Sequence, residues 1–137
     1  MRALGGVLAV ALAFGLAGCG SSDSDQVHAK VEEFVHTVSA HDAKSICHDV
    51  LAPSLVARFT QEGLSCERGI QIFLGSVRDP TLSVGRISVN GSNGASAVVL
   101  TGAHCQRVTL ASLYLVKTSA GWRIASESSE PPGRPRC

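Results

Sequence analysis

The sequence predicts an α+β fold in which N-terminal helices pack on a curved antiparallel sheet. Three observations carry this. Apolar residues recur at three- and four-residue spacing as far as Val77, then alternate from Val84 onward. Asp79-Pro80 stands at the change of period. Clusters of Gly, Asn and Ser at 90–94 and 119–121 then divide the second half into short strands. Helices first and strands afterwards make a segregated α+β domain, whereas a parallel sheet needs the two to alternate.

Each element has its own signature. Val27, Val31, Phe34, Val35 and Val38 form one apolar stripe, so residues 26–40 are expected as an amphipathic helix. Asp42 is a candidate N-cap for a short second helix over 43–51, with Ile46, Cys47, Val50 and Leu51 turned inward. Pro53 suits the first turn of a third helix, 53–61, with Leu55, Val56 and Phe59 inward, and Gly63 ends it. Ser65 caps a fourth, 66–77, with Cys66, Ile70, Phe73, Leu74 and Val77 on one side. Strands are expected over 83–90, 95–101, 105–118 and 122–126. On the third, Val108, Leu110, Tyr114 and Val116 face one way and Ala111, Leu113 and Leu115 the other, which predicts cover on both faces of the sheet.

The first residues are read differently. Arg2 followed by the apolar stretch 4–16 has the form of a secretory signal and is short for a membrane span. Leu16-Ala17-Gly18-Cys19 resembles the lipobox of bacterial lipoproteins. That resemblance implies removal of residues 1–18 and lipid modification of Cys19, with 19–25 as a Ser- and Asp-rich tether and 26–137 as one domain. Twelve Lys and Arg stand against eleven Asp and Glu, so losing Arg2 leaves a formal net charge of zero. Basic residues form no patch, and nucleic acid is not an expected partner.

Setting Cys19 aside leaves Cys47, Cys66, Cys105 and Cys137, an even set suited to two disulfides in an exported domain, with three possible connectivities. The favoured pairs are Cys47–Cys66, between neighbouring helices, and Cys105–Cys137, which would hold a Pro-rich tail. No Cys-x-x-Cys occurs, and the five His lack ligand spacing, so no metal site is expected.

Three segments in order resemble the NTF2-like (cystatin-like) superfamily, in the form of small exported lipoproteins of actinobacterial type. They are the helix His41-Asp42-Ala43-Lys44-Ser45-Ile46-Cys47-His48-Asp49-Val50-Leu51, the turn Ala52-Pro53-Ser54-Leu55, and the hairpin from Leu113-Tyr114-Leu115-Val116-Lys117-Thr118 to Gly121-Trp122-Arg123-Ile124. The last is similar to the family's closing Gly-Trp-Arg/Lys-Ile strand. The resemblance spans 26–127 and implies a cone with a pocket on the concave sheet face. It also links Cys47 and Cys66 to a pair that bridges early helices. The superfamily holds enzymes and non-catalytic modules alike, so fold does not select function.

Candidate ligand-binding residues are Tyr114, Trp122 and Arg107. Tyr114 and Trp122 offer aromatic faces, though each also suits a core or rim position, and Arg107 offers an anion contact. The expected strands from 83 to 118 hold no Asp or Glu. A carboxylate base would have to come from Asp42, Asp49, Glu67 or Asp79, which read as a cap, two surface residues and a turn. No catalytic residue and no cofactor is therefore assigned. The expectation is a non-catalytic module on the outer side of the cytoplasmic membrane, anchored through Cys19. It would bind a small apolar ligand, an envelope protein, or a second copy through the sheet face. The alternative is a small isomerase or dehydratase.

Overall fold

The computed structural model describes residues 21–130, 134 and 137. The signal segment, Cys19 and most of the Pro-rich tail lie outside the described residues. The elements are α1 (Asp23–Ser39), α2 (Ala43–Ser45), a π-helical turn (Ile46–Val50), α3 (Pro53–Gln61), α4 (Cys66–Ser76) and strands β1 (Thr81–Asn90), β2 (Gly94–Gly102), β3 (Thr109–Thr118) and β4 (Gly121–Ser129). The strands form an antiparallel meander in the order β1-β2-β3-β4. The helices cover one face of the curled sheet, giving the expected α+β cone.

Helix α1 starts three residues before the expected boundary. The Ser22 hydroxyl accepts from the Asp25 N–H at 3.1 Å, and the Asp25 carboxylate accepts from the Ser22 N–H, a reciprocal capping box. Asp23 to Asp25, expected in the tether, are thus the helix's first turn. Val27 and Val31 are fully buried against the sheet. Lys30 reaches across to the Asp49 carbonyl at 2.9 Å and satisfies an orphan acceptor where the next helical turn ends.

The second helix is not the regular one expected over 43–51. Asp42 does cap it, accepting from the Ser45 N–H at 3.0 Å. After one α turn the chain widens, and the Leu51 N–H donates to the Ile46 carbonyl at 2.9 Å, five residues back. The wider turn brings Ile46, Cys47, Val50 and Leu51 all into the core. Leu51 then makes a parallel bridge to Ile124, and the Ala52 N–H donates to the Ile124 carbonyl at 2.7 Å. These contacts cover part of the β4 edge.

Helices α3 and α4 touch at Gly69, where any Cβ would lie 2.5 Å from the Phe59 ring. Phe73, expected inside, is 55% exposed, because the face of α4 turned to the core is centred on Cys66 and Leu74.

The third strand begins at Thr109 and not at 105. Residues 103–108 form a loop in which the Gln106 N–H donates to the Ala103 carbonyl and Cys105 takes a positive φ of 63°. Within β3 the alternation is as expected: Ala111, Leu113 and Leu115 are buried, while Leu110, Tyr114 and Val116 are exposed. Among the described residues nothing covers that outer face. Cys47–Cys66 and Cys105–Cys137 are both bonded, the favoured connectivity. Two disulfides in so short a chain belong to an oxidising, non-cytosolic compartment. No described helix is long and apolar enough to cross a membrane.

Three aspartates make stability pH-dependent. Asp25 is held below the ordinary range by the Ser22 hydroxyl and N–H, Asp23 by the Lys117 ammonium, and Asp42 by the Ser45 N–H and hydroxyl. A carboxyl depressed in the folded state stabilises it above the unfolded pKa and loses that contribution as pH falls through the folded value. The melting temperature should therefore hold steady with respect to these groups above about pH 5 and decline below about pH 4. A decline centred near pH 6 would assign the effect to histidine instead.

Candidate functional site

Between the helices and the concave sheet face runs a cleft in two continuous halves. The inner half has a volume of about 310 Å³ and is lined by Phe34 and Val38 of α1, Ile46 and Leu51 of the π turn, Leu55 and Phe59 of α3, Ile70 and Leu74 of α4, and Leu113 and Ile124 of the sheet. The outer half, about 410 Å³, is more polar and adds Thr101, Gln106, Arg107, Thr109, Ser129 and Glu130. Phe34, Val38, Phe73, Leu113 and Glu127 line both.

A β-bulge sets which β4 side chains reach the polar end. Opposite β3, Leu115 pairs with Ile124 but Tyr114 pairs with Ser126, so Ala125 is an extra residue on β4. Before the bulge Trp122 and Ile124 face the core. After it, Glu127 pairs with the inward Leu113 and Ser129 with the inward Ala111. Strict alternation puts Ser126 inward with Trp122 and Ile124. The bulge sets Ser126 opposite the outward Tyr114, still lining the inner half, and brings Glu127 to the cleft beside it. Glu127 is the one ionisable side chain lining the inner half. Sequence reasoning missed it, since no local signal marks an inserted residue in Ile124-Ala125-Ser126.

The three candidate ligand residues do not converge. Tyr114 is 46% exposed on the outer face of the sheet, so it does not reach the cleft. Trp122 is 2% exposed and lines neither half. The Lys117 ammonium lies 5.7 Å above its ring and bonds Asp23 at 2.6 Å, which ties the start of α1 to the last hairpin. The indole N–H contributes the smallest of the effects that lower Asp23, and it makes no full hydrogen bond. Arg107 alone lines the cleft, at the outer end, from a loop and not from the expected strand.

The carboxylates first considered as bases lie elsewhere. Asp42 caps α2, Glu67 pairs with His48 at 3.0 Å on the surface, Asp49 is exposed, and Asp79 sits in a turn with φ 46°. His104, Cys105 and Cys137 place donor atoms within 4.8 Å of one another, but the two sulfurs are joined in a disulfide and are not available as thiolates.

No protein-family model matches the chain, and no curated protein is significantly similar to it. Solved structures are similar to it. An NTF2-like protein of unknown function from Shewanella baltica OS155 matches with a TM-score of 0.54 and 15% identity, over 82% of this chain and 99% of that one. The intermembrane space region of the chloroplast protein ARC6 matches with a TM-score of 0.48 and 15% identity, over 80% of this chain and 98% of that one. The match to the Shewanella protein shows that the chain has the NTF2-like fold.

Proposed function

We propose that this protein is a lipid-anchored, extracytoplasmic binding module that holds a small apolar ligand in the cleft without transforming it. One observation carries the reading. The inner half of the cleft is an apolar space of about 310 Å³, at the lower end of the range for small-molecule sites, with a single carboxylate at its polar end. Anchoring and bacterial origin rest on the resemblance of Leu16-Ala17-Gly18-Cys19 to a lipobox, the actinobacterial type rests on the likeness of 41–55 and 113–124 to such lipoproteins, and the disulfides support export. The exposed Leu100, Leu110, Tyr114 and Val116 offer a face for an envelope protein or a second copy.

Two measurements test this. Cys19→Ala should release the protein from the membrane fraction and abolish palmitate labelling, and retention of the label would sink the anchor. Nile red, a neutral apolar dye, should bind the purified protein and brighten. Ile70→Trp, which fills the inner half, should weaken that binding at least tenfold with the circular dichroism spectrum unchanged. Undiminished binding would place the dye elsewhere.

A second reading, an isomerase or dehydratase, has one observation in its favour: Glu127 lies where a base would reach a ligand in the inner half. Mass spectrometry of the ligand carried from the membrane separates the two. A compound altered by the wild type and unaltered by Glu127→Gln would favour the enzyme.

A further inference from the structure

We propose that the cleft selects a chain-like amphiphile whose apolar body fills the inner half and whose head is a cationic, hydrogen-bond-donating amine held at Glu127. The inference rests on the reading of the cleft as an apolar ligand site and adds the chemistry of what enters it.

Shape comes first. The two halves share Phe34, Val38, Phe73, Leu113 and Glu127, so the space is elongated and open along its length. A linear molecule follows it from one half into the other, whereas a compact one leaves a half filled with water. Polarity comes second. The inner half presents hydrocarbon, the Ser126 hydroxyl and one carboxylate, whereas the other hydroxyls and the Gln106 amide line the outer half. An occupant matched to this gradient is apolar at one end and polar at the other.

The sign of the head follows from Glu127. Its carboxylate makes no hydrogen bond and no ion pair among the described residues. An ionised carboxylate only accepts hydrogen bonds, so it rewards a donor and repels an anion. The outer half carries Glu127 and Glu130 against Arg107, an excess of one negative charge. Arg107 lines the outer half alone, so an anionic head leaving the apolar half meets Glu127 first.

Displacement of Nile red by decylamine, decanol and decanoate, each below its aggregation concentration at neutral pH, tests the head group at constant chain length. Decylamine should bind about three- to tenfold more tightly than decanol at low salt, and decanoate more weakly than decanol. The gap should narrow as salt is raised. Glu127→Gln should bring the amine to the level of the alcohol without moving decanol, and Glu127→Lys should reverse the order in favour of decanoate. Equal affinities for all three heads, or a decanoate preference removed by Arg107→Ala, would overturn the inference while leaving the apolar site standing. Failure of both Nile red and decanol to bind would overturn the apolar site itself, and the inference with it.

Discussion

Replacing Trp122 with alanine is expected to destabilise the protein by about 3 to 5 kcal/mol, the range for emptying a large aromatic site in a packed core. Trp122 is the largest of the fully buried side chains, and it joins the core where α1 meets the last hairpin. Removing it also deprives Lys117 of the ring beneath it and loosens the link from Lys117 to Asp23. That second loss is small, because the pair is more than one-third exposed and solvent screens it. Trp122→Phe separates volume from polarity. The indole N–H is buried without a full hydrogen bond, so phenylalanine removes an unsatisfied donor along with part of the ring. The phenylalanine variant should therefore recover most of the stability that alanine loses. Urea unfolding followed by far-ultraviolet circular dichroism measures both, since the only Trp of the chain is the residue removed. A cost below about 1 kcal/mol for alanine would show that the site collapses around the gap and that Trp122 is not a structural anchor.

How much of this was legible in the sequence follows from how local each signal is. The apolar stripe of Val27, Val31 and Val38, the cap at Asp42 and the alternation of Ala111, Leu113 and Leu115 are set by a few neighbouring residues, and all appear in the structure. The departures come from non-local demands. Residues 46–50 adopt a π turn because four apolar side chains must enter one core while Leu51 reaches the β4 edge. The third strand starts late because Cys105 is committed to Cys137 and its loop. The bulge at Ala125 belongs to the pairing of β4 with β3, and it alone brings Glu127 to the cleft. Tyr114 and Trp122 attract attention as aromatic residues, yet each is one position or one face away from the ligand space. The residues that form it are ordinary Phe, Ile, Leu and Val of the core stripes, which nothing in composition separates from simple core.

The two disulfides set chain entropy against burial. Loop-closure arithmetic assigns roughly 3 to 4 kcal/mol to each and slightly more to Cys105–Cys137, whose sequence separation is 32 against 19 for Cys47–Cys66. Burial favours the opposite order. Cys47 and Cys66 are each 7% exposed within the core, whereas Cys137 is exposed and Cys105 only partly covered. Replacing Cys47 and Cys66 with alanine removes packed sulfur as well as the cross-link, and it frees the start of α4 from the π turn. Both elements border the inner half of the cleft through Ile46, Leu51, Ile70 and Leu74. That double variant should lose about 3 to 5 kcal/mol and bind Nile red several-fold more weakly. The Cys105→Ala/Cys137→Ala variant should lose no more than the entropic share and bind the dye as the wild type does, because its bond joins a loop and a tail away from the inner half. Urea midpoints and dye titrations on the two variants decide between the terms. A larger loss from the Cys105–Cys137 pair would mean that chain entropy outweighs packing here. Unchanged dye binding after loss of Cys47–Cys66 would mean that the helices hold the cleft without their staple.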